Sequence, residues 1–266
     1  MKASVIMSTY NAEAWLEKVI WGFSVQTEQD FEIIIADDGS GPKTKELLDR
    51  LRAEINMPLV HVWQEDNGFQ KTQILNKAVV ASASDYLIFT DGDCIPRADF
   101  VATHLQHRQQ GYFLSGGYFK LPMDISQAIT KEDIAAQNCF DAKWLKANGF
   151  KGSTLKLTAS GLKAKLLNFF TPTKATWNGH NASASKKDII EVNGFNRQMQ
   201  YGGEDREMGE RLFNKGLKAK QIRYSAICVH LDHARGYVNP EMWKKNNEIR
   251  EYTRKNKVVR TDTGIE

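Results

Sequence analysis

The stretch "DYLIFTDGDCIP" (85–96) decides how the rest of the chain is read. Its first half is apolar and aromatic, the composition of a short buried strand. Its second half sets Asp91 and Asp93 on either side of Gly92. A turn that ends a strand needs one aspartate at most. Two carboxylates this close repel unless a cation or a hydrogen-bond donor offsets one of them. The segments around this strand have to supply that partner.

Upstream, "ASVIMS" (3–8), "FEIIIAD" (31–37) and "LVHVW" (59–63) have the same strand character. Between them "AEAWLEKVIWGFSVQ" (12–26) carries Trp15, Leu16, Val19, Ile20 and Phe23 at helical spacing. "KTKELLDRLRAEI" (43–55), after a "GSGP" turn, and "KTQILNKAVVAS" (71–82) are further helices. Strands alternating with helices predict a parallel sheet with right-handed crossovers. Ligands of such sheets bind at the carboxyl edge of the strands. Here the strand ends are "STYN" (8–11), "DDGS" (37–40), "EDNGFQK" (65–71) and "DGD" (91–93), so four polar clusters are expected in one crevice.

Past residue 110 the alternation breaks down. "YFLSGGYFK" (112–120) reads as a strand, mixed helical segments run to about 170, and "NASASK" (181–186) reads as another strand. "GGEDREMGERLFNKG" (202–216) has acidic residues at its start and Lys215-Gly216 at its end, the signals of a helix. "KAKQIRYSAICVHL" (218–231) is strand-like, and a charged helical tail begins at Pro240.

Hydrophobic residues make up 41% and charged residues 26%, an ordinary globular balance that excludes a disordered chain. A length of 266 residues suits one domain with an ample core. No apolar run approaches the roughly 20 residues that span a bilayer, and "MKASVIMSTYN" lacks a signal-peptide core, so a cytoplasmic location is expected. Cys94, Cys139 and Cys228 are widely spaced and read as packing residues. A net charge of +4 gives no ground for a nucleic-acid partner. "LKLTASGLKAKLLNFFTPTK" (155–174) mixes leucine and phenylalanine with Lys156, Lys163, Lys165 and Lys174. It reads as an amphipathic helix packed on the core; the alternative is a peripheral contact with an anionic membrane, at its inner face.

In this order the motifs resemble the inverting family 2 glycosyltransferases of the GT-A fold. "SVIMSTYNAEAWLEKVI" (4–20) with "DFEIIIADDGS" (30–40) is similar to that family's opening nucleotide-binding signature, and "FTDGDCIP" (89–96) to its D-x-D element. "WNGHNASASKKDIIEVNGFN" (177–196), "YGGEDREMGERLFNKG" (201–216) and "CVHLDHARG" (228–236) resemble the C-terminal part of β-1,4-galactosyltransferases and bacterial chondroitin polymerases. "FQKTQILNKA" (69–78) is also like a galactosyltransferase stretch. The likeness covers residues 3–120 and 177–236. It implies a GT-A (Rossmann-like) α/β domain with a mixed, mostly parallel sheet flanked by helices. Residues 1–120 would be its nucleotide-sugar-binding half and 121–266 its acceptor-binding half with a helical tail.

The resemblance also assigns roles. Asp93 binds Mn²⁺ or Mg²⁺, for which oxygen ligands are apt, and Asp91 contacts the ribose, or the metal through water. One imidazole of His230 or His233 completes the metal shell, with His230 slightly preferred. Asp38 accepts from the N3–H of a uracil ring lined by Ser8, Thr9 and Tyr10. Lys71, where relatives often carry arginine, neutralises diphosphate as a point charge. Asp205 is the base that deprotonates the acceptor, at a helix N-terminus that favours negative charge. Glu204 binds the acceptor beside it, with Tyr201 and Gly203. Asn181, with Asn178, Gly179 and His180, approaches the donor sugar; Trp177 and Tyr201 either stack on a sugar face or pack in the core, the commoner outcome for an aromatic residue. His104 and His107 read as a solvated helix face. The partners implied are a UDP-sugar and a saccharide or lipid-linked saccharide acceptor. A sugar-1-phosphate nucleotidyltransferase is the rival, yet "STYNAEAW" (8–15) is no Gly-rich phosphate loop. A nucleotide-sugar-binding or membrane-surface module without turnover is the other.

Overall fold

The computed structural model describes residues 1–234 and 240–266. Arg235 and Gly236, which end the "CVHLDHARG" motif, lie outside the described residues. Among the described residues ten strands form two sheets: β1 (Ala3–Thr9), β2 (Phe31–Asp37), β3 (Leu59–Trp63), β4 (Tyr86–Asp91), β5 (Cys94–Pro96), β6 (Tyr112–Ser115), β7 (Gly117–Lys120), β8 (Asn181–Ser185), β9 (Lys218–Gln221) and β10 (Ile227–His230). The main sheet runs β3-β2-β1-β4-β8-β6-β9, and the small one β5-β10-β7. The first four strands are mutually parallel, β8 is antiparallel to both β4 and β6, and β6 is parallel to β9. Strands from both halves of the chain thus share one mixed, mostly parallel sheet.

The period-2 geometry of a strand explains why these segments read as continuous apolar runs. Val5 and Met7 of β1 and Ile33 and Ile35 of β2 face one core; Ile6, Ile34 and Ala36 face the other. Both sheet faces are covered. Helix α1 (Glu13–Ser24) buries Leu16, Val19, Ile20 and Phe23 on the first face, together with Leu47, Leu48 and Leu51 of α2 (Pro42–Glu54). Pro42 opens α2, a position where its missing N–H costs nothing. Helix α3 (Lys71–Ala81) covers the second face with Ile74, Leu75, Ala78 and Val79.

Two segments read as single strands are each broken in two, and in both cases the pieces join different sheets. "YFLSGGYFK" divides at Gly116, whose backbone N–H donates to the Asn181 carbonyl at 2.8 Å. A Cβ there would sit 2.0 Å from the Asn181 side-chain oxygen. "KAKQIRYSAICVHL" divides at a turn where the N–H groups of Ser225 and Ala226 both donate to the Ile222 carbonyl.

Of the apolar residues of 155–174, Leu157 packs in the core as expected, but most of the others do not. The helix Gly161–Phe170 buries Ala164 and leaves Leu162, Leu166, Phe169 and Phe170 exposed. The tail forms the helix Pro240–Lys255, which packs on the helix Glu204–Asn214. Among the described residues no helix is long and apolar enough to cross a membrane.

Candidate active site

The four polar strand ends meet as expected, around a cavity of about 700 Å³, within the usual range for ligand sites. Ser8, Thr9 and Tyr10 follow from β1, Asp38 from β2, Asp66 and Lys71 from beyond β3, and Asp91 and Asp93 from β4. Tyr201, His230 and His233 line it from the second half of the chain.

Gly92 lets the two aspartates diverge. Its N–H donates to the Ser8 carbonyl at 3.0 Å, and a Cβ would meet that oxygen at 2.8 Å. Pinned against β1, the turn sends Asp91 and Asp93 to different partners. The Lys71 ammonium donates to Asp91 Oδ1 at 2.8 Å, and the Ser8 hydroxyl donates to the same oxygen at 3.2 Å. Burial works against the charge of Asp91, but Lys71 outweighs it and, with the nearby imidazoles, holds the carboxyl at about 2. Burial likewise opposes the charge of Lys71, and the carboxylates of Asp91, Glu204 and Asp205 overcome it and raise its pKa.

Asp93 faces the histidines. Its Oδ2 lies 3.0 Å from His233 Nε2 and 3.5 Å from His230 Nε2, and ligand atoms of all three lie within 4.8 Å of one another. His233 Nδ1 lies 2.9 Å from the Ala234 carbonyl, which only accepts, so Nδ1 carries the hydrogen. In the neutral ring Nε2 then points a lone pair at a carboxylate oxygen. Two acceptors at this distance need a proton or a metal ion between them. His230 Nδ1 is buried without a partner among the described residues. One carboxylate and two imidazoles are a donor set that Mn²⁺ accepts readily and Mg²⁺ less so. The sequence reading set one histidine against the other; the fold brings both to Asp93, because β10 pairs with β5, His230 opposite Cys94, and the Leu231 N–H donates to the Asp93 carbonyl at 2.9 Å.

On the nucleotide side, Asp38 is buried and its oxygens accept from Gln64 Nε2 at 2.6 Å and from the Gln70 N–H at 2.9 Å. Burial raises its pKa against these two hydrogen bonds. Its neighbour Asp37 does the turn-forming work, accepting from the Ser40 N–H and pairing with His61. Tyr10 donates to Asp66 at 2.8 Å across the mouth. Thr9 Oγ1 is buried with no partner among the described residues, a polar atom left for a ligand.

Glu204 and Asp205 open the helix Glu204–Asn214 as expected. Asp205 Oδ2 accepts from the Gly179 N–H at 2.9 Å and Oδ1 from the Arg206 N–H at 2.7 Å. Each oxygen keeps a second lone pair for an incoming proton. Glu204 is buried and accepts from the Gly202 N–H at 2.9 Å. Burial and the adjacent Asp205 push its carboxyl up to about 7. Part of the approach that Gly202 and Gly203 permit is taken up by the protein itself. A Cβ on Gly202 would meet the Trp243 ring at 2.8 Å, and one on Gly203 would meet Arg250 at 3.1 Å. Asn246 fixes the same loop by donating to the carbonyls of Gln200, Tyr201 and Gly202.

Other expected site residues lie elsewhere. Asn181 is fully buried and donates to the Gly117 and Ala226 carbonyls, tying the two sheets together, so it is not a donor-sugar ligand. Asn178 is similarly engaged with Ser115 and the Gly116 carbonyl. Trp177 is wholly buried between Phe89 and Phe113 and stacks on no sugar. His104 is not on a solvated face: its ring is buried against Ser183 and Asn181, and burial lowers its pKa to about 3. Sequence reasoning missed Tyr118, whose ring centroid lies 4.7 Å from that of His180 and 4.9 Å from that of His230. It also passed over Asp66 and Phe69, although both sit in a named polar cluster; Phe69 makes an edge contact with Tyr201.

This geometry has known counterparts. A family model described as glycosyl transferase family 2 matches residues 4–137, and one described as the N-terminal domain of galactosyltransferase matches residues 167–234. The uncharacterized glycosyltransferase YfnE of Bacillus subtilis is 24% identical over 88% of this chain and 65% of its own length. Chondroitin synthase of Escherichia coli is 24% identical over 85% of the chain, which spans only 34% of that protein. Among solved structures, the fragment 1–349 of S. aureus TarS in complex with UDP-GlcNAc has a TM-score of 0.64 at 15% identity, covering 97% of this chain and 70% of that one. The mannosyltransferase PcManGT from Pyrobaculum calidifontis, in complex with GDP-Man and Mn²⁺, has a TM-score of 0.60 at 17% identity, covering 94% and 69%. The structural neighbours share the GT-A fold expected from the motifs. With half of its length matched by the first family model, the chain belongs to glycosyl transferase family 2.

Proposed function

We propose that this chain is a metal-dependent, inverting glycosyltransferase that moves a sugar from a UDP-sugar to a saccharide acceptor. The observation that carries the reading is the separation of charges around one cavity: Lys71 on Asp91, and His230 with His233 on Asp93. One wall thereby carries a lysine ammonium, paired with Asp91, beside the place where a diphosphate would lie, and the next is a metal-ligand set. The TarS fragment with UDP-GlcNAc supports the uridine donor, and the PcManGT complex with Mn²⁺ supports the metal. PcManGT also holds GDP-Man, so the fold alone does not select the base. Asp38 is an acceptor apt for the N3–H of uracil, but it would accept the N1–H of guanine as well, so the uridine reading rests on the UDP-GlcNAc complex.

Asp93, His230 and His233 would hold Mn²⁺ or Mg²⁺, whose charge favours departure of the UDP group. Ser8, Thr9 and Tyr10 line the base and ribose. Lys71 turns its ammonium to the diphosphate and stabilises the charge that develops as the C1–O bond breaks. Asp205 takes the proton from the acceptor hydroxyl as that oxygen attacks C1 from the opposite face, inverting the configuration. Tyr201 and Glu204 flank the acceptor. The acceptor fits a cell-surface glycan such as capsule or lipopolysaccharide, free or lipid-linked, in keeping with the chondroitin synthase relative.

UDP release from a panel of UDP-sugars, with and without Mn²⁺, tests the reading. One donor should release UDP faster with a saccharide acceptor present, and chelation should stop it. UDP binding without release from any donor would leave a binding module instead. Release of pyrophosphate from UTP and a sugar 1-phosphate would indicate a nucleotidyltransferase.

A further inference from the structure

The helix Gly161–Phe170 presents its amphipathic pattern the wrong way round for a core helix. Leu162, Phe169 and Phe170 are 72%, 80% and 72% exposed, and Leu166 is 49% exposed. They fall at i, i+7, i+8 and i+4, which places them in one stripe. Lys163 and Lys165 flank the stripe on either side, and the small Ala164 sits behind it, against the protein. Lys151 and Lys174, before and after the helix, are exposed as well. From Asp141 to Asp188 every intervening Asp, Glu, Lys or Arg position is a lysine.

This orientation is fixed by specific contacts. Asn168 Nδ2 donates to the Ser225 hydroxyl at 2.9 Å, and its Oδ1 accepts from the Tyr224 N–H at 2.9 Å. Lys156, just upstream, departs from the lysine ridge: its ammonium donates to the Tyr118 carbonyl, and burial lowers its pKa to about 8. Tyr118 in turn packs on His180 and His230. The ridge is therefore anchored to the wall of the cavity.

A stripe of leucine and phenylalanine with lysine on both sides suits a surface that is apolar within and anionic at its rim. We infer that this ridge docks on an anionic lipid bilayer, with Phe169 and Phe170 entering the acyl boundary and Lys163, Lys165 and Lys174 meeting the headgroups. A second copy of the chain is the poorer occupant, because two such ridges would bring lysine against lysine. The inference stands whichever donor sugar is used, and it places the cavity beside the membrane, where a lipid-linked acceptor would be reached.

Sedimentation with mixed phosphatidylcholine–phosphatidylglycerol vesicles tests it on the full chain. The wild type should pellet with these vesicles at low salt, be released at high salt, and stay in solution with phosphatidylcholine alone. Each lysine near an anionic surface is worth roughly fivefold in binding, so joint Lys163→Gln, Lys165→Gln and Lys174→Gln should weaken partition roughly 100-fold. Joint Phe169→Ser and Phe170→Ser should abolish it. All five side chains face solvent, so both variants should keep the wild-type circular dichroism and sugar transfer to a soluble acceptor. Absence of the wild type from the anionic pellet, or equal pelleting of the variants, overturns the inference. So does a dimer in sedimentation velocity that the phenylalanine variant loses, which would make a second copy the occupant. Loss of transfer with vesicle binding intact would count against the enzymatic reading alone.

Discussion

The Lys71 ammonium lies 2.8 Å from Asp91 Oδ1, while Asp93, two residues on, turns to His230 and His233. Lys71 is therefore the counter-charge of Asp91, whereas Asp93 and its imidazoles present acceptors that a proton or a metal ion would bridge. The two carboxylates of the D-x-D element thus turn to different partners. Gly92 makes this possible, because its missing side chain admits the Ser8 carbonyl and holds the turn against β1.

Replacing Lys71 with glutamine leaves a half-buried Asp91 without its cation. In the wild type the Asp91 carboxyl is held at about 2, so its stabilisation is present above the ordinary value of 3.8 and is lost only as pH falls through about 2. In Lys71→Gln that loss should begin at higher pH, moving acid unfolding, followed by circular dichroism, upward. UDP affinity by calorimetry should fall on the order of tenfold, the worth of a charge-assisted contact, and Lys71→Arg should recover most of it. An unchanged acid midpoint would mean that the pair contributes nothing to the fold.

Asp93→Ala removes the carboxylate of the candidate metal set. Mn²⁺ should strengthen UDP binding to the wild type, and the variant should lose that enhancement, by roughly tenfold or more. His233→Ala and His230→Ala should each lose part of it, since the fold brings both rings to Asp93. A wild type that binds UDP equally well in Mn²⁺ and in chelator would remove the metal from the site.

Much of this arrangement was legible because it is local. Strands β1 to β4 and helices α1 to α3 announce themselves through apolar periodicity within a few residues, and their ends carry the polar clusters. Asp91, Asp93, Glu204 and Asp205 stand in short motifs with strong chemical character. What was hidden depends on residues far away in sequence. Asn181 and His104 look like free polar groups until Gly116, 65 residues before Asn181, opens the space in which the Asn181 amide is buried. Gly202 and Gly203 read as room for a ligand because nothing nearby in sequence reveals that Trp243 and Arg250 fill it. Tyr118 carried no signal at all, since an aromatic residue in an apolar run looks like core.

Glu204 should make stability depend on pH. Burial and Asp205 raise its carboxyl to about 7, so the folded protein favours the protonated form. That contribution is complete below the ordinary value of 4.5 and is lost as pH rises through about 7. Glu204→Gln mimics the protonated state and keeps an acceptor for the Gly202 N–H. The variant should match the wild type in Tm near pH 4 and exceed it above pH 7, where the gap in stability should be about 3 kcal/mol. Parallel Tm curves across this range would show that Glu204 titrates alike in the folded and unfolded chain.

Asp205→Asn separates chemistry from binding. The amide oxygen can still accept one of the two backbone hydrogen bonds, from Gly179 or Arg206, so the loop should hold its place. The side chain can no longer take a proton from an attacking hydroxyl. Turnover with the preferred UDP-sugar should fall roughly 10² to 10⁴-fold, the usual span for a general base. UDP affinity should stay near that of the wild type, because Asp205 is not among the residues that line the cavity. A fall in kcat with little change in the donor KM is the signature of an interaction made only as the bond forms. If Asp205→Asn turns over normally while Glu204→Gln does not, the base is Glu204, and its carboxyl near pH 7 would then set a rise in rate with pH.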